Sequence, residues 1–375
     1  MKKIIILGIM ALAFAFTSAV KAEMSLSGYQ EFFAGSADQS TLRGDGSNEY
    51  GVDNAGLHNG QYTRITANYS TTLDSGIDVS GVLTVMSRDC QGGDTTNCNV
   101  VNHNFVNLSS EFGTISIGER FDAGAAMLSR MTASGAMSEP DGNQIYAVYG
   151  TTDGVNKYGS GNEVNYASNA LKVLYLSNVY SGFSFAVGYT PNMAEGGQNT
   201  SGQATSVTNG KWSNFNDVLS VFGKYSMDMD GIGLDLVYGQ QTGNAGQVGG
   251  NNYNDLEESA YSVKVSYAGF SADYRKNEAD NSGLIKNGQD GNDEGTSVCG
   301  QYDMGNLSVG ACSVETSFTD TNNRSNSSEL MTYSAEYQLG GGVKVGATYF
   351  DFEQTANSQI RTDMDGITAR LAVGF

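Results

Sequence analysis

Gly366-Ile367-Thr368-Ala369-Arg370-Leu371-Ala372-Val373-Gly374-Phe375 is the last stretch of the chain, and its apolar residues occupy every second position. Successive side chains of a β-strand point to opposite faces. One face would therefore carry Ile367, Ala369, Leu371, Val373 and Phe375, and the other face would carry polar or small residues. The pattern predicts a strand that separates an apolar environment from a polar one.

The same alternation recurs along the chain, for example over residues 261–267, 331–337 and 343–349. Repeated segments of about ten residues with a hydrophobic period of two indicate strands, and we count about sixteen of them. The expected spans are 24–34, 57–71, 77–88, 103–111, 114–121, 163–176, 183–190, 217–227, 231–241, 257–267, 270–277, 295–304, 307–317, 328–338, 343–352 and 365–375.

The connections between these segments alternate in length. Those near residues 73, 112, 179, 230, 269, 305 and 341 are short, whereas the intervening ones are long and rich in Gly, Asn, Asp and Ser. The long connections are 35–56, 89–102, 122–162, 191–216, 242–256, 278–294, 318–327 and 353–364. Short turns at one end and long loops at the other are typical of a sheet that crosses a membrane and closes on itself. We therefore predict an all-β fold, a transmembrane antiparallel β-barrel of about sixteen strands with a polar lumen.

The N-terminal residues predict export. Lys2 and Lys3 precede an apolar run at 4–16, and small residues lie at the expected cleavage positions before Glu23. This pattern indicates a secretory signal peptide at 1–22 and a single barrel domain at 23–375. A membrane anchor is the alternative, although the apolar run is short for a spanning helix.

The charge balance limits the possible partners. The formal net charge is −20, and loss of Lys2, Lys3 and Lys21 with the signal peptide leaves −23. Such a chain repels nucleic acid, so we predict no nucleic-acid partner. The excess of acid could attract cations, or it could simply keep the protein soluble.

Three motifs carry a family resemblance. The first is Asn107-Leu108-Ser109-Ser110-Glu111-Phe112-Gly113-Thr114-Ile115-Ser116-Ile117-Gly118-Glu119-Arg120. The second is Val164-Asn165-Tyr166-Ala167-Ser168, followed by Tyr180-Ser181-Gly182-Phe183-Ser184-Phe185, and the third is the C-terminal strand ending in Phe375. In order and spacing, the mature chain resembles the general porins of Gram-negative outer membranes. The resemblance implies a homotrimer of sixteen-stranded barrels in the cell outer membrane, in contact with lipid and lipopolysaccharide. It also implies a passive diffusion channel for ions and small hydrophilic solutes. Phe375 would be the signal read by the outer-membrane assembly machinery.

The resemblance also implies that the third long loop, 122–162, folds into the lumen and narrows it. Acidic residues on this loop would face basic residues on the wall, and facing charges in a narrow pore orient solutes and filter ions. The candidate acids are Asp122, Glu139, Asp141 and Asp153, and the candidate wall residues are Arg64, Arg88, Arg120 and Arg370. Further cations share the predicted lumen face outside the constriction: Lys172, Lys224, Lys264, Arg275 and Lys344. The loop lacks the family's constriction tetrapeptide, so which acids face the pore stays open.

Four cysteines are unusual for this family. Cys90 and Cys98 share a long loop, while Cys299 and Cys312 would lie opposite each other across a turn at Gly305-Asn306. An even number of cysteines in an oxidising compartment predicts disulfides, and both pairs are candidates. A metal site is the alternative, but His58 and His103 are the only histidines and neither lies between the cysteines of a pair.

Other function classes are less well supported by the sequence. An outer-membrane hydrolase would need a Ser or Asp activated by His58 or His103, and no nucleophile-elbow or zinc-protease motif occurs. A substrate-specific channel would share every feature above, and Tyr146, Tyr149 and Tyr158 in the third loop could then guide a sugar. A secreted β-rich adhesin is the third alternative. We predict a channel that is not an enzyme, with no cofactor and no metal.

Overall fold

Sixteen antiparallel strands pair edge to edge in a computed structural model of the chain, and the last strand pairs with the first. The structure describes residues 23–42, 49–50, 57–88, 99–128, 170–193, 207–208, 211–212, 214–286, 291–319, 325–356 and 359–375. The barrel strands are β1 Glu23–Leu42, β2 His58–Thr72, β3 Asp78–Arg88, β4 Asn99–Ser110, β5 Gly113–Glu119, β6 Leu171–Leu176, β7 Phe183–Asn192, β8 Asn216–Met229, β9 Ile232–Asn244, β10 Leu256–Tyr267, β11 Phe270–Asp280, β12 Asn292–Met304, β13 Leu307–Thr319, β14 Ser325–Gly340, β15 Val343–Ala356 and β16 Gln359–Gly374. The predicted closed barrel is confirmed, and each predicted span overlaps one of these strands.

A few short elements lie outside the barrel wall. The two-residue strand Glu49–Tyr50 pairs antiparallel with the end of β1. Two small ribbons pair Val207–Thr208 with Lys211–Trp212 and Gln247–Val248 with Asn251–Asn252. One helix, α1 (Ala123–Met127), follows β5. No helix among the described residues is long and apolar enough to cross a membrane.

The last strand shows why the alternation predicts the barrel. On β16, Ile367, Leu371 and Phe375 are exposed on the outer surface, whereas Thr368 and Ala372 are buried on the inner one. The outward apolar run from Ile367 to Phe375 has nine residues, which matches the roughly 9–11 residues that a tilted strand needs to cross a bilayer. Large apolar side chains are exposed in the same way around the barrel, which gives it a lipid-facing belt.

Several strands extend further than predicted at the end of the barrel that carries the long loops. β1 reaches Leu42 instead of 34, β15 reaches Ala356, and β16 begins at Gln359, so most of the predicted loop 353–364 was wrong. The reason is that the alternation of apolar and polar residues changes: apolar residues point outwards along most of the strand but inwards near its beginning. Met364 on β16 is buried inside, and Asp363 and Asp365 are exposed outside, which is the reverse of the pattern from Ile367 onwards.

The reversal is shared by neighbouring strands. On the inside, Val314, Leu330, Phe352 and Met364 form a cross-strand row from β13 to β16 within a buried apolar cluster. The adjacent outward row contains only acids: Glu315, Glu329, Glu353 and Asp363. Carboxylates do not face hydrocarbon, so the lipid belt ends below this row and the strands continue into water. The expected polar lumen is therefore incomplete, because apolar side chains line part of the inner wall.

The acidic row makes a testable prediction, because like charges directly opposite each other destabilise a sheet. We expect Glu329→Gln to raise the free energy of unfolding by about 0.2–1 kcal/mol, measured by urea titration of the barrel in lipid vesicles. Glu257→Gln is the matched control, since Glu257 is exposed but lies opposite Thr242. The effect should shrink in high salt. A gain no larger than that of the control would contradict repulsion along the row.

Candidate pore constriction

The chain turns into the barrel immediately after β5. Ala123, at the start of α1, is fully buried and packs with Met127 and Leu128 against inward side chains of the wall. Those wall residues lie on five strands from β6 to β10: Leu174, Ala186, Phe222, Val237 and Ala260. Residues 122–128 of the third long loop therefore run along the inner wall.

The Asp122 side chain links the start of α1 to the barrel wall. Its Oδ1 accepts a hydrogen bond of 3.1 Å from the Ala125 N–H and caps α1, while its Oδ2 accepts one of 2.7 Å from Gln241 Nε2 on β9. The side chain is buried, and burial raises the pKa of the Asp122 carboxyl, which the two hydrogen bonds oppose. We expected this carboxylate to be a candidate for facing the pore. The structure instead places it against the wall, because a capping side chain must turn back onto its own helix.

Basic side chains gather on the wall next to this entry point. Arg64 Nη2 lies 3.1 Å from His103 Nδ1, and the edge of the His103 ring packs on Phe121. The guanidinium of Arg120 lies 4.8 Å from the centre of the Phe105 ring and donates to Ser116 Oγ at 2.6 Å. We call the set Arg64, His103, Arg120 and Lys172 the basic cluster, because the other three charges all act on the His103 imidazole.

Two members of the basic cluster were not expected there. The sequence predicts Lys172 on the lumen face but outside the constriction. It offers His103 only as a candidate catalytic residue. Lys172 is almost fully buried, and its Nζ donates to the carbonyl oxygens of Ala170, at 2.7 Å, and Arg120. The alternation along β6 indicates the face of Lys172, but only the fold shows that β6 lies beside β5 at the level of Arg120.

Other inward cations pair with acids on neighbouring strands. Arg370 bonds to Glu31 on β1 and, at 3.2 Å, to Glu336 on β14, which also pairs with Lys344 at 3.2 Å. Lys224 and Asp235 form a further pair at 2.9 Å. Arg370, predicted as a constriction residue, thus belongs to an ionic network between the first strand and the last three.

Some predicted site residues cannot be placed. Glu139, Asp141 and Asp153 lie outside the described residues, as do Cys90 and Cys98. For Arg88, on β3, the structure describes only the backbone.

The second cysteine pair is joined. Cys299 on β12 and Cys312 on β13 lie directly opposite each other, with a Cα–Cα distance of 4.1 Å, and form a disulfide. Both residues are buried on the inner face of the wall. The predicted register across the turn at Gly305 and Asn306 is therefore confirmed for this pair.

Comparison with known proteins agrees with this geometry. A family model described as Gram-negative porin matches residues 8–366. The outer membrane channel DcaP of Acinetobacter baumannii has a TM-score of 0.63 at 12% identity, over 96% of this chain and 99% of that one. OmpF of Salmonella typhi, in complex with daunomycin, has a TM-score of 0.62 at 15% identity, over 94% and 97%. An anion-selective porin from Comamonas acidovorans has a TM-score of 0.60 at 12% identity, over 95% and 100%. Comparison with curated protein sequences finds no significant match.

The disulfide makes a prediction that chemistry can check. In a Cys90→Ser/Cys98→Ser background, the unreduced, denatured protein should show no reactive thiol, and peptide mapping should recover Cys299 linked to Cys312. Further replacement with Cys299→Ser/Cys312→Ser should lower the free energy of unfolding by roughly 2–4 kcal/mol, since the cross-link restricts the unfolded chain. Two reactive thiols per chain before reduction would contradict the bond.

Proposed function

Since the chain belongs to the Gram-negative porin family and is an outer-membrane diffusion channel, we propose that its lumen is narrowed by the third long loop and passes ions and small hydrophilic solutes passively. The observation that carries the proposal is the entry of α1 into the barrel. Ala123, Met127 and Leu128 pack on the inner wall, so the loop starts inside the lumen rather than above it. A segment fixed in this way reduces the free cross-section of the pore.

The sign of the ion selectivity depends on which charges border the narrowest part of the lumen. The Comamonas relative is named as anion-selective, so the shared fold does not fix the sign for this chain. We propose a mild cation preference from the acid excess of the mature chain and from the predicted loop acids Glu139, Asp141 and Asp153. The basic cluster would oppose that preference, because it lines the wall beside the loop entry.

Export and assembly form part of the same proposal. Removal of residues 1–22 would leave a mature chain that starts at Glu23. Phe375 would serve as the signal for the assembly machinery, and it is exposed at the outer surface where a receptor could reach it. A homotrimer in contact with lipid and lipopolysaccharide completes the proposal. OmpT of Vibrio cholerae, another structural neighbour, is described in a trimer form. We expect no catalytic activity, no cofactor and no nucleic-acid partner.

The channel proposal predicts an electrical signal. Purified protein in a planar bilayer should produce steady ohmic current steps of nanosiemens order in molar potassium chloride, because a water-filled lumen conducts without a bound carrier. Protein denatured before addition is the control. A folded barrel that inserts but produces no current steps would contradict the passive pore.

The basic cluster predicts the direction of a change in selectivity. Arg64→Gln should raise the cation-to-anion permeability ratio by roughly twofold, because it removes a positive charge from a confined wall. The ratio is obtained from the reversal potential in a salt gradient. Lys286→Gln is the matched control, since Lys286 lies in an outer loop, 3.8 Å from Asp255. An equal shift in both variants would exclude the cluster as a selectivity element, and an anion-selective wild type would overturn the proposed sign without affecting the channel.

A further inference from the structure

Two buried carboxylates from distant parts of the sequence lie beside one amide side chain on the inner wall. Asp122 caps α1, and Glu258 lies on β10 directly opposite Gln241 of β9. Directly opposed side chains on one face of a sheet have Cβ atoms about 4.5–5.5 Å apart. Because Gln241 Nε2 also donates to Asp122 Oδ2 at 2.7 Å, Gln241 links the two carboxylates.

Three oxygen atoms at this place have no hydrogen-bond partner: Gln241 Oε1, Glu258 Oε2 and Asn277 Oδ1. Asn277, on β11, donates its Nδ2 to Glu258 Oε1 at 3.3 Å. The three side chains are almost fully buried, with exposed fractions of 0% for Gln241, 3% for Glu258 and 4% for Asn277. A buried acceptor without a partner destabilises the folded state, so three of them on adjacent strands favour a ligand at this place.

The arrangement of the amides shows what kind of ligand fits. Gln241 and Asn277 each direct an N–H group at a carboxylate, which leaves their carbonyl oxygens for something else. The charged groups that act on Glu258 are Asp122 and Asp293, and both are acidic. Lys172 acts on Asp122, but its Nζ donates to the backbone oxygens of Ala170 and Arg120. A positively charged ligand that accepts coordination by oxygen fits this arrangement.

We propose that Asp122, Gln241, Glu258 and Asn277 bind a calcium ion that fastens the start of the third loop to the barrel wall. Calcium takes several oxygen ligands from carboxylates and side-chain amides and tolerates irregular geometry, whereas magnesium demands a near-ideal octahedron. Two carboxylates balance its double charge. The four side chains offer only oxygen and amide groups and include no histidine or cysteine, a donor set that suits calcium better than a transition metal.

The site would act on the loop through Asp122. That residue both caps α1 and bonds to Gln241, so an ion shared with Glu258 would hold the helix, β9 and β10 together. No local calcium-loop motif marks this site in the sequence, because its ligands are spread from residue 122 to residue 277. Calcium binding at this site does not depend on whether the barrel conducts ions.

Calcium binding to the folded full-length mature protein tests the proposal. Protein stripped with a chelator is dialysed against radioactive calcium, and Glu258→Gln is compared with wild type and with Glu329→Gln. Glu329 is a matched control because its carboxylate is exposed in the outward acidic row and could hold calcium only weakly. We expect wild type and Glu329→Gln to bind one additional tight calcium ion. Glu258→Gln should lose at least about tenfold in affinity for it, while the isosteric amide leaves the barrel folded.

Asp122→Asn is the second variant and should lose the same ion. Calcium should also raise the melting temperature of the stripped wild type and of Glu329→Gln, but not that of Glu258→Gln, because a ligand of the folded state stabilises it. Equal calcium binding by wild type and Glu258→Gln would overturn the proposal. So would a wild type whose melting temperature responds to acidification but not to calcium, since a proton on Glu258 would then satisfy the site alone.

Discussion

In lipid, every backbone N–H and C=O group needs a bonding partner within the protein, and the barrel depends on meeting this constraint at its seam. β1 and β16 pair from Tyr29 with Gly374 to Thr41 with Thr362, and Gly28 and Phe375 then exchange two backbone hydrogen bonds of 3.0 Å. Gly28 has no room for a side chain, since a Cβ there would lie 2.3 Å from a backbone oxygen of β2. Closure therefore places the final residue of the chain against the first strand.

The outer surface of these strands faces lipid along one part of their length and water along the rest. The outward residues change from apolar to acidic at the boundary. Below the boundary on β16, apolar residues such as Leu371 face outwards. Above it, Met364 faces inwards while Asp363 faces outwards. The upper part of the wall therefore resembles a soluble sheet, with acids in water and an apolar cluster inside. Within one such strand, the apolar residues move from the outward positions to the inward ones. A search for a single alternation of apolar and polar residues stops at this change and places the end of the strand there. This is why the predicted loops at 318–327 and 353–364 were too long.

The fold was predictable because its information is local. A period of two and a regular order of short and long connections suffice for the strands, the turns and the Cys299–Cys312 register. The constriction was less predictable, because its contacts join residues far apart in sequence. Asp122 and Gln241 are separated by 119 positions, and no pattern near either residue indicates their hydrogen bond. The family resemblance pointed to the third loop, whose start packs on the inner wall, but it did not show that Asp122 bonds to a wall residue.

The total charge of the chain is a poor guide to the field in the pore, because the described acids are used in different ways. Those in the outward row face away from the lumen, and Glu31 and Glu336 are neutralised by Arg370 and Lys344. Asp122 and Glu258 lie on the inner wall, and a calcium ion between them would cancel their two charges. The basic cluster would then be opposed less by the negative charge of Asp122 at the loop entry. Whether the pore prefers cations thus depends on the acids of the loop itself, and the occupancy of the metal site would shift the balance towards anions.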